Sequence, residues 1–401
     1  MINLLLSAFS EFPRLDAGGA NKIIYQILSS LDYQKFSATY HSSHLHQKFL
    51  SSKNLENQIV DSLNLKKKIG TNLFRNLSLF RSFLSSSNRF TKYLKRGDNY
   101  FEKVGIESNI DVHHSHDFRT MYFFKKAHIR KNILTIQSKG SFINDLKLYY
   151  NSISERIIQQ YSFMENESLR IADLITFPSY AAKQLFLEEQ NLSIDNNKIQ
   201  VIYNGVDIDY LNSVKPSDTF RKKFSNRGKY DLIIINVADH IKVKNIDIIV
   251  KVIEHLLKVY GVKALLLNVG NGPQTKELKL LASSLNISDQ IRFLGRLPYG
   301  EVIQLIKLGD FLISAAEKVI FDLIILEALA CGLIVIANEN GGNKEAIENG
   351  FNGYLVKDLS IEQIADTIIR SDRTVKSNAI KSALKYDVRN MVKQYETLYL
   401  N

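Results

Sequence analysis

The second half of the chain alternates short apolar runs with segments of helical hydrophobic spacing. The apolar runs lie at 231–237, 264–269, 291–294 and 311–314, and the helical segments lie at 247–260, 274–285 and 299–308. Strands that alternate with helices predict right-handed β-α-β units and a mainly parallel sheet. Ligands of such sheets lie beyond the carboxyl ends of the strands, so we expect the functional residues in the loops that follow them.

The first half has a similar but less regular pattern. The apolar runs at 3–9, 131–137 and 171–179 predict strands, the last of them followed by a turn. A helical pattern follows the first run at 21–31, and Gly18 and Gly19 stand at the junction. A glycine pair there allows a phosphate or sugar to approach closely, although such a pair more often marks only a turn. Ser179 is a suitable N-cap for a helix after the third run.

A domain boundary is predicted where the first pattern ends. A strand in the segment 198–207 stops at the turn pair Asn204-Gly205, and the polar segment 213–227 follows without a sheet pattern. We therefore divide the chain into a first domain at 1–207, a second at 208–375 and a C-terminal segment at 376–401. With 401 residues, of which 45% are hydrophobic, the chain can bury two separate cores.

Charge and cysteine content narrow the possible partners and the location. The net charge of +11 suits polyanions, acidic lipid headgroups or nucleotide phosphates, and a solvated basic surface would also account for it. The basic, amphipathic segment 66–96 predicts either a helix packed on the first sheet or a peripheral contact with an anionic membrane. No run is long enough to span a bilayer. The single cysteine, Cys331, excludes an intramolecular disulfide and suits a reducing cytoplasm.

Three histidines follow one another closely near the end of a strand-like segment. They are His113, His114 and His116, within the segment 111–117. Clustered histidines can bind a metal ion, but no cysteine and no second histidine cluster with ligand spacing accompanies them. We therefore expect no metal site here, and the alternative is a set of polar residues at a strand end.

The stretch 314–332 contains an isolated acid. A polar loop follows the strand at 311–314, and the helix after it carries Glu327 in the middle of an otherwise apolar face. Because a buried carboxylate without partners costs several kcal/mol, hydrogen-bond donors should surround Glu327. The start of the same helix favours a bound phosphate. Ligand hydroxyls near Glu327 and phosphates near the helix start would together describe a nucleotide, whereas the alternative is an ordinary surface carboxylate.

This stretch resembles the E-x7-E region of the retaining glycosyltransferases of family 4. The resemblance implies the α/β fold called GT-B, with two Rossmann-like domains facing a central cleft. In that family the second acid, Glu327 here, binds the nucleotide ribose, and the first contacts the donor sugar. Val319 stands at that first position, and the nearest carboxylates are Glu317 and Asp322. Glu317 can serve only if the loop carries a bulge of two residues.

The family also places an arginine and, five residues later, a lysine beside the donor pyrophosphate. Lys244 matches the lysine, but Asp239 stands at the arginine position, so His240 or Lys242 would have to compensate. The resemblance implies catalytic roles for His116, Glu317 and Lys244, and donor-binding roles for Gly18, Gly19, His240, Lys242, Lys244, Gly270, Gly272, Asp322 and Glu327. It implies no metal and no other cofactor, and a C-terminal helix that crosses back to the first domain.

The implied reaction is metal-independent transfer of a hexose, with retention of configuration, from a UDP- or GDP-type sugar to a hydroxyl. The acceptor would be a glycan, a lipid-linked sugar or a protein, in the synthesis of a bacterial surface glycan or glycoconjugate. An inactive GT-B partner subunit of an active transferase is the main alternative, because it would explain Val319 and Asp239 together. Epimerisation of a sugar nucleotide remains a further possibility. No aromatic-basic motif supports nucleic-acid binding, so we expect no such partner.

Overall fold

The described chain falls into two units in a computed structural model. The first unit comprises Met1–Tyr203 together with Met391–Asn401, and the second comprises Asn204–Asn390. The structure describes residues 1–8, 19–42, 46–49, 51, 109–125, 127–138, 140–147, 153–190, 194–225 and 228–401. Two of the sequence predictions concern parts of the chain outside these residues, namely Gly18 and the basic segment 66–96.

A sheet with the strand order β3-β2-β1-β4-β5-β6-β7 forms the centre of the first unit. Its strands are β1 (Ile2–Ser7), β2 (Phe36–His41), β3 (His46–Phe49), β4 (Val112–Ser115), β5 (Lys131–Thr135), β6 (Leu174–Phe177) and β7 (Ile199–Val201). Only β3 is antiparallel to its neighbour. The strand order reverses between β1 and β4, and in such sheets ligands bind beyond the carboxyl ends at this point.

Helices connect the parallel strands of the first unit. They are α1 (Gly19–Ser30), α2 (Phe118–Phe123), α3 (Phe142–Lys147), α4 (Glu155–Ile171) and α5 (Tyr180–Glu189). The side chain of Ser179 accepts a hydrogen bond of 2.9 Å from the backbone N–H of Ala182 at the start of α5. This contact confirms the predicted N-cap, which satisfies one of the free N–H groups at the helix start.

The second unit contains a fully parallel sheet with the order β10-β9-β8-β11-β12-β13. Its strands are β8 (Leu232–Val237), β9 (Ala264–Val269), β10 (Ile291–Phe293), β11 (Phe311–Ser314), β12 (Ile334–Asn338) and β13 (Tyr354–Val356). This is the strand order of a dinucleotide-binding Rossmann sheet, and the order reverses between β8 and β11. The predicted α/β architecture with mainly parallel sheets is confirmed.

Nine helices precede, connect or follow the described strands of the second unit. They are α6 (Ile208–Ser213), α7 (Asp218–Phe224), α8 (Ile246–Tyr260), α9 (Thr275–Ser284), α10 (Tyr299–Ile306), α11 (Leu323–Ala330), α12 (Asn343–Ala346), α13 (Ile361–Arg370) and α14 (Val375–Ala383). The helix α15 (Val388–Leu400) begins in the second unit and continues into the first. No helix in the described ranges combines the length and apolar character that a membrane span requires.

Some element ends differ from the sequence predictions. The run 3–9 forms a strand only to Ser7, and the run 131–137 only to Thr135. The polar segment 213–227 contains α7, whose start is capped by the Ser217 side chain. Phe224 is the one buried residue of this helix, so no apolar periodicity was available to predict it.

Candidate functional site

Two loops lie side by side where the strand order of the second unit reverses. One follows β8 and carries Lys244, and the other follows β11 and carries Asp322. The Lys244 ammonium lies 3.5 Å from the Asp322 carboxylate, with the two side chains only 18% and 23% exposed. A partly buried ammonium with a single long contact to a carboxylate retains donors for an anionic ligand.

Asn245 ties the same two loops together. Its backbone is in the left-handed region, with φ of 47°, which asparagine tolerates better than most residues. Its side-chain amide donates to the carbonyl of Ala315 (3.2 Å) and to the carboxylate of Glu317 (3.1 Å). The backbone N–H of Glu317 in turn donates to the carbonyl of Val243 (3.0 Å). Glu317 is therefore anchored beside the loop that carries Lys244, although its side chain is exposed.

Val319 packs into the protein instead of facing a ligand. It is 5% exposed, and its carbonyl accepts a hydrogen bond from the N–H of Gly342 (3.1 Å). A Cβ atom on Gly341 would lie 1.9 Å from that carbonyl oxygen, so only glycine permits this close approach. Two acids of this loop, Glu317 and Asp322, contact the loop that carries Lys244.

Glu327 is buried and held by a tyrosine. The carboxylate belongs to α11, is 3% exposed, and accepts a hydrogen bond of 2.9 Å from the hydroxyl of Tyr299 at the start of α10. Burial and, secondarily, the Glu327 carboxylate raise the pKa of Tyr299, so the phenol stays protonated and can donate. The Tyr299 ring stacks on that of Tyr210, with centroids 5.5 Å apart. The expectation that donors surround Glu327 is therefore met at this oxygen.

His240 lies inside the second unit. Its side chain is fully buried, and Nδ1 lies 2.8 Å from the hydroxyl of Thr275. A Cβ atom on Gly270 would lie 1.8 Å from the carbonyl oxygen of Ala238, and one on Gly272 would lie 2.5 Å from that of His240. These close approaches account for both glycines by packing within the chain. The Thr275 hydroxyl that contacts His240 also accepts a hydrogen bond from the N–H of Gly272 (3.0 Å).

Asp239 pairs with an arginine that follows β10. The guanidinium of Arg296 lies 3.1 Å from the Asp239 carboxylate, and the two side chains are 78% and 57% exposed. Lys242, also exposed, lies in the same loop as Asp239. The acid at this position is thus neutralised by a cation from a neighbouring loop, which the linear sequence does not reveal.

His116 follows β4 where the strand order of the first unit reverses. Its backbone N–H donates to the carbonyl of Ser7 at the end of β1 (2.9 Å). The imidazole is 6% exposed, and within the described part of the chain neither ring nitrogen has a hydrogen-bond partner. Burial lowers the pKa of His116 to about 3, so the ring is neutral at neutral pH and offers one donor and one acceptor.

A cavity of about 200 Å³ adjoins His116 within the first unit. Its lining combines aromatic and aliphatic side chains with polar groups, among them Thr135, Gln137, Ser138 and Glu165. Burial raises the pKa of Glu165, which accepts hydrogen bonds from the N–H of Phe142 (2.9 Å) and the Gln190 amide (3.3 Å). An unpartnered imidazole beside a cavity of mixed polarity suits a hydroxylated ligand.

The structure brings some predicted residues together and separates others. Lys244, Asp322 and Glu317 share the loops at the strand reversal of the second unit, while Gly19 is the first residue of α1 in the first unit. Tyr299 and Asn245 were not predicted as site residues, and only Asn245 carries a sequence signal, because asparagine is favoured in the left-handed conformation. No group of three or more histidine, cysteine or carboxylate residues within the described ranges is arranged to hold a metal ion.

These two sheets have close counterparts in known structures. The fold matches that of Anabaena HepE in complex with UDP-glucose, with a TM-score of 0.68 and 18% identity over 100% of both chains. It also matches sucrose-phosphate synthase from Thermosynechococcus elongatus, with a TM-score of 0.73 and 16% identity over 100% of this chain and 98% of the other. The fold is GT-B.

Sequence models of two families match most of the chain between them. Residues 17–210 match the model described as Glycosyltransferase Family 4, and residues 217–383 match that described as Glycosyl transferases group 1. The chain belongs to glycosyltransferase family 4.

Curated relatives match part of the chain. N-acetyl-alpha-D-glucosaminyl L-malate synthase from Bacillus anthracis is 31% identical over 57% of this chain and 59% of its own length. An uncharacterized glycosyltransferase from Methanocaldococcus jannaschii is 26% identical over 69% of this chain and 66% of its own length. The chain thus spans less than two thirds of the length of either relative.

Proposed function

We propose that this protein transfers a sugar from a nucleotide-sugar donor to a hydroxyl acceptor, with retention of anomeric configuration and without a metal ion. The observation that carries the proposal is the buried Glu327, held by Tyr299, in the helix that follows the loop of Asp322 and its partner Lys244. A carboxylate suits the two hydroxyls of a ribose, and a nearby ammonium suits a diphosphate.

Different residues of the second unit contact the ribose, the diphosphate and the sugar of the donor. Glu327 accepts hydrogen bonds from the ribose, while Lys244 stabilises negative charge on the diphosphate as the bond to the anomeric carbon breaks. Arg296 is a second cation at the carboxyl edge of the same sheet and can exchange Asp239 for a phosphate oxygen. These two cations supply the positive charge for which other transferases use a metal ion. Glu317, held by Asn245, contacts the sugar.

The first unit holds the acceptor. The cavity beside His116 has room for part of a hydroxylated molecule, and the neutral imidazole can donate to one hydroxyl and accept from another. Because the pKa of this ring is about 3, it orients hydroxyl groups and does not act as an acid at neutral pH.

A UDP-type donor is favoured over a GDP-type donor. HepE, which shares the fold, binds UDP-glucose, and the Bacillus anthracis relative is named for an N-acetylglucosaminyl product. Names of other relatives include phosphatidylinositol and D-inositol 3-phosphate, so acceptors vary across similar chains. For this chain we propose a hydroxyl on a glycan, a lipid-linked sugar or a protein.

Calorimetric titration with UDP-glucose, UDP-N-acetylglucosamine and GDP-mannose tests donor binding, and hydrolysis of each without acceptor tests turnover. Glu327→Gln should weaken binding of the preferred donor by roughly tenfold or more, since hydrogen bonds to a charged group are worth about 1.5–3 kcal/mol. Glu254→Gln is the matched control, because Glu254 lies on α8 and pairs with Lys258. Equal affinity in both variants would refute the assignment of Glu327.

A non-catalytic GT-B partner subunit is the second candidate. Val319 and Asp239 stand where the family resemblance implies an acid and an arginine, and both changes would follow from loss of catalysis. That function predicts neither binding nor hydrolysis of any nucleotide sugar by the purified chain. Hydrolysis of a donor that Glu327→Gln abolishes would exclude it.

A further inference from the structure

The rings of His114 and His116 lie against each other in the first unit. Their centroids are 4.4 Å apart and the planes are inclined by 36°. His114 is fully buried, and both of its nitrogens have hydroxyl partners: Tyr399 at Nδ1 (2.7 Å) and Thr135 at Nε2 (2.6 Å). Rotation of this ring would break two buried hydrogen bonds, so its plane is fixed.

Tyr399 comes from the last turn of α15, nearly the end of the chain. It is 2% exposed, and burial raises the pKa of its phenol well above the ordinary value, so the hydroxyl stays protonated. Tyr395, one turn earlier, places its ring 4.8 Å from that of His114. The C-terminal helix therefore covers His114 with two aromatic rings and bonds it through one hydroxyl.

His116 depends on this arrangement more than an ordinary buried histidine would. No hydrogen bond fixes its ring among the residues that the structure describes, and the ring borders the cavity. The contact with His114 is thus a main constraint on the plane of the imidazole. A reacting or binding group has to be held within about 0.5 Å and 10–20° of its productive geometry.

We propose that the C-terminal helix positions His116: the Tyr399 hydroxyl fixes the ring of His114, and that ring sets the orientation of the His116 imidazole. Tyr399 and His114 are positioning residues, and the proposal rests on the role given to His116 in the proposed function. The end of the chain, far from the other site residues in sequence, is on this view part of the site.

Tyr399→Phe tests the proposal by removing one hydroxyl and keeping the ring. We expect kcat to fall roughly five- to tenfold, the size expected for one buried hydrogen bond, with an unchanged KM for the donor. Tyr395→Phe is the matched control on the same helix, since its hydroxyl lies 3.4 Å from Thr135 and does not bond His114. It should change kcat less than twofold, about 0.4 kcal/mol.

Three further experiments separate positioning from general destabilisation. In the background His116→Ala, Tyr399→Phe should have no additional effect on kcat, because the residue it acts through is gone. In NMR spectra of the full chain, the His116 ring resonance, assigned by its loss in His116→Ala, should shift in Tyr399→Phe and stay in place in Tyr395→Phe. His114→Gln, which keeps hydrogen-bonding atoms but removes the ring, should reproduce the loss of kcat.

The outcomes distinguish this proposal from the proposed function. An equal fall of kcat with and without His116, or an unmoved His116 resonance in Tyr399→Phe, would overturn the positioning role. Full activity of His116→Ala would instead show that His116 takes no part in the reaction. In that case a shifted His116 resonance in Tyr399→Phe would still show that Tyr399 orients the ring.

Discussion

Replacing Tyr299 by phenylalanine removes the hydroxyl that holds Glu327 and leaves the stacked ring in place. The bond of 2.9 Å joins a buried phenol to a carboxylate that is 3% exposed. Because the acceptor is a charged group in a dry environment, we expect a loss of about 1.5–3 kcal/mol in the free energy of unfolding of the second unit. The carboxylate also becomes less well oriented, so the Kd of the donor should rise by roughly three- to tenfold, or about 0.6–1.4 kcal/mol.

Tyr230→Phe provides a matched control in the same unit. Tyr230 is 4% exposed, and its hydroxyl donates to the backbone carbonyl of Asp289 (2.6 Å), a neutral acceptor. This change should cost only about 0.5–1.5 kcal/mol and leave donor affinity unchanged. Urea denaturation measures the stabilities and calorimetric titration measures the affinities. If both variants lose the same stability and bind the donor as tightly as the parent, Tyr299 does not orient Glu327.

Three further predictions address other parts of the two units. Asn245→Ala and Asn245→Gly should weaken donor binding equally, since both variants lose the amide that holds the neighbouring loop. Only Asn245→Ala should also lower the free energy of unfolding, by about 1–2 kcal/mol in urea denaturation, because alanine is strained in the left-handed backbone conformation. Asp239→Asn should lower the Kd of the donor, because it removes a negative charge and frees the guanidinium of Arg296. A higher Kd than that of the parent, measured by calorimetric titration at low salt, would contradict this. Burial lowers the pKa of His113 and His116 to about 3, and it holds the pKa of His114 well below its ordinary value. The folded chain is therefore most stable above the unfolded pKa of about 6.5, and between pH 6.5 and 5 it loses about 3 kcal/mol through His113 and His116, with a further loss through His114. Thermal unfolding across this range should show the loss, and His116→Asn should reduce it by about 1.6 kcal/mol.

The regular parts of the fold were predictable because they repeat. Alternating apolar runs and helical periodicity in the second half identified the strands β8 to β11 and the helices α8 to α10, with ends that differ by one or two residues. Glu327 could be singled out because one acid in an apolar helix face is rare and demands partners. Ser179 was predicted for an equally local reason, the capping of the next helix.

The partners of the site residues were not predictable, because each depends on one contact between distant positions. His240 gives no sign in the sequence that it faces inward, and its partner Thr275 lies 35 positions later. The hydroxyl of Tyr399 is separated from His114 by 285 positions. Hydrophobic periodicity determines which face of an element is buried, but it does not determine which single side chain meets another across the core.

The two departures from the family pattern have a common structural explanation. Asp239 follows β8 and pairs with Arg296, and in the proposed function Glu317, which Asn245 holds from the β8 loop, substitutes for the acid missing at Val319. Both compensating contacts therefore involve the loop after β8, next to Lys244. In a subunit without catalysis, neither the buried and hydrogen-bonded Glu327 nor the left-handed Asn245 that anchors Glu317 would have a function. Joint retention of these costly features favours a working donor site over an inactive partner, and the combined loss of donor hydrolysis in Glu317→Gln and Asn245→Gly would distinguish the two.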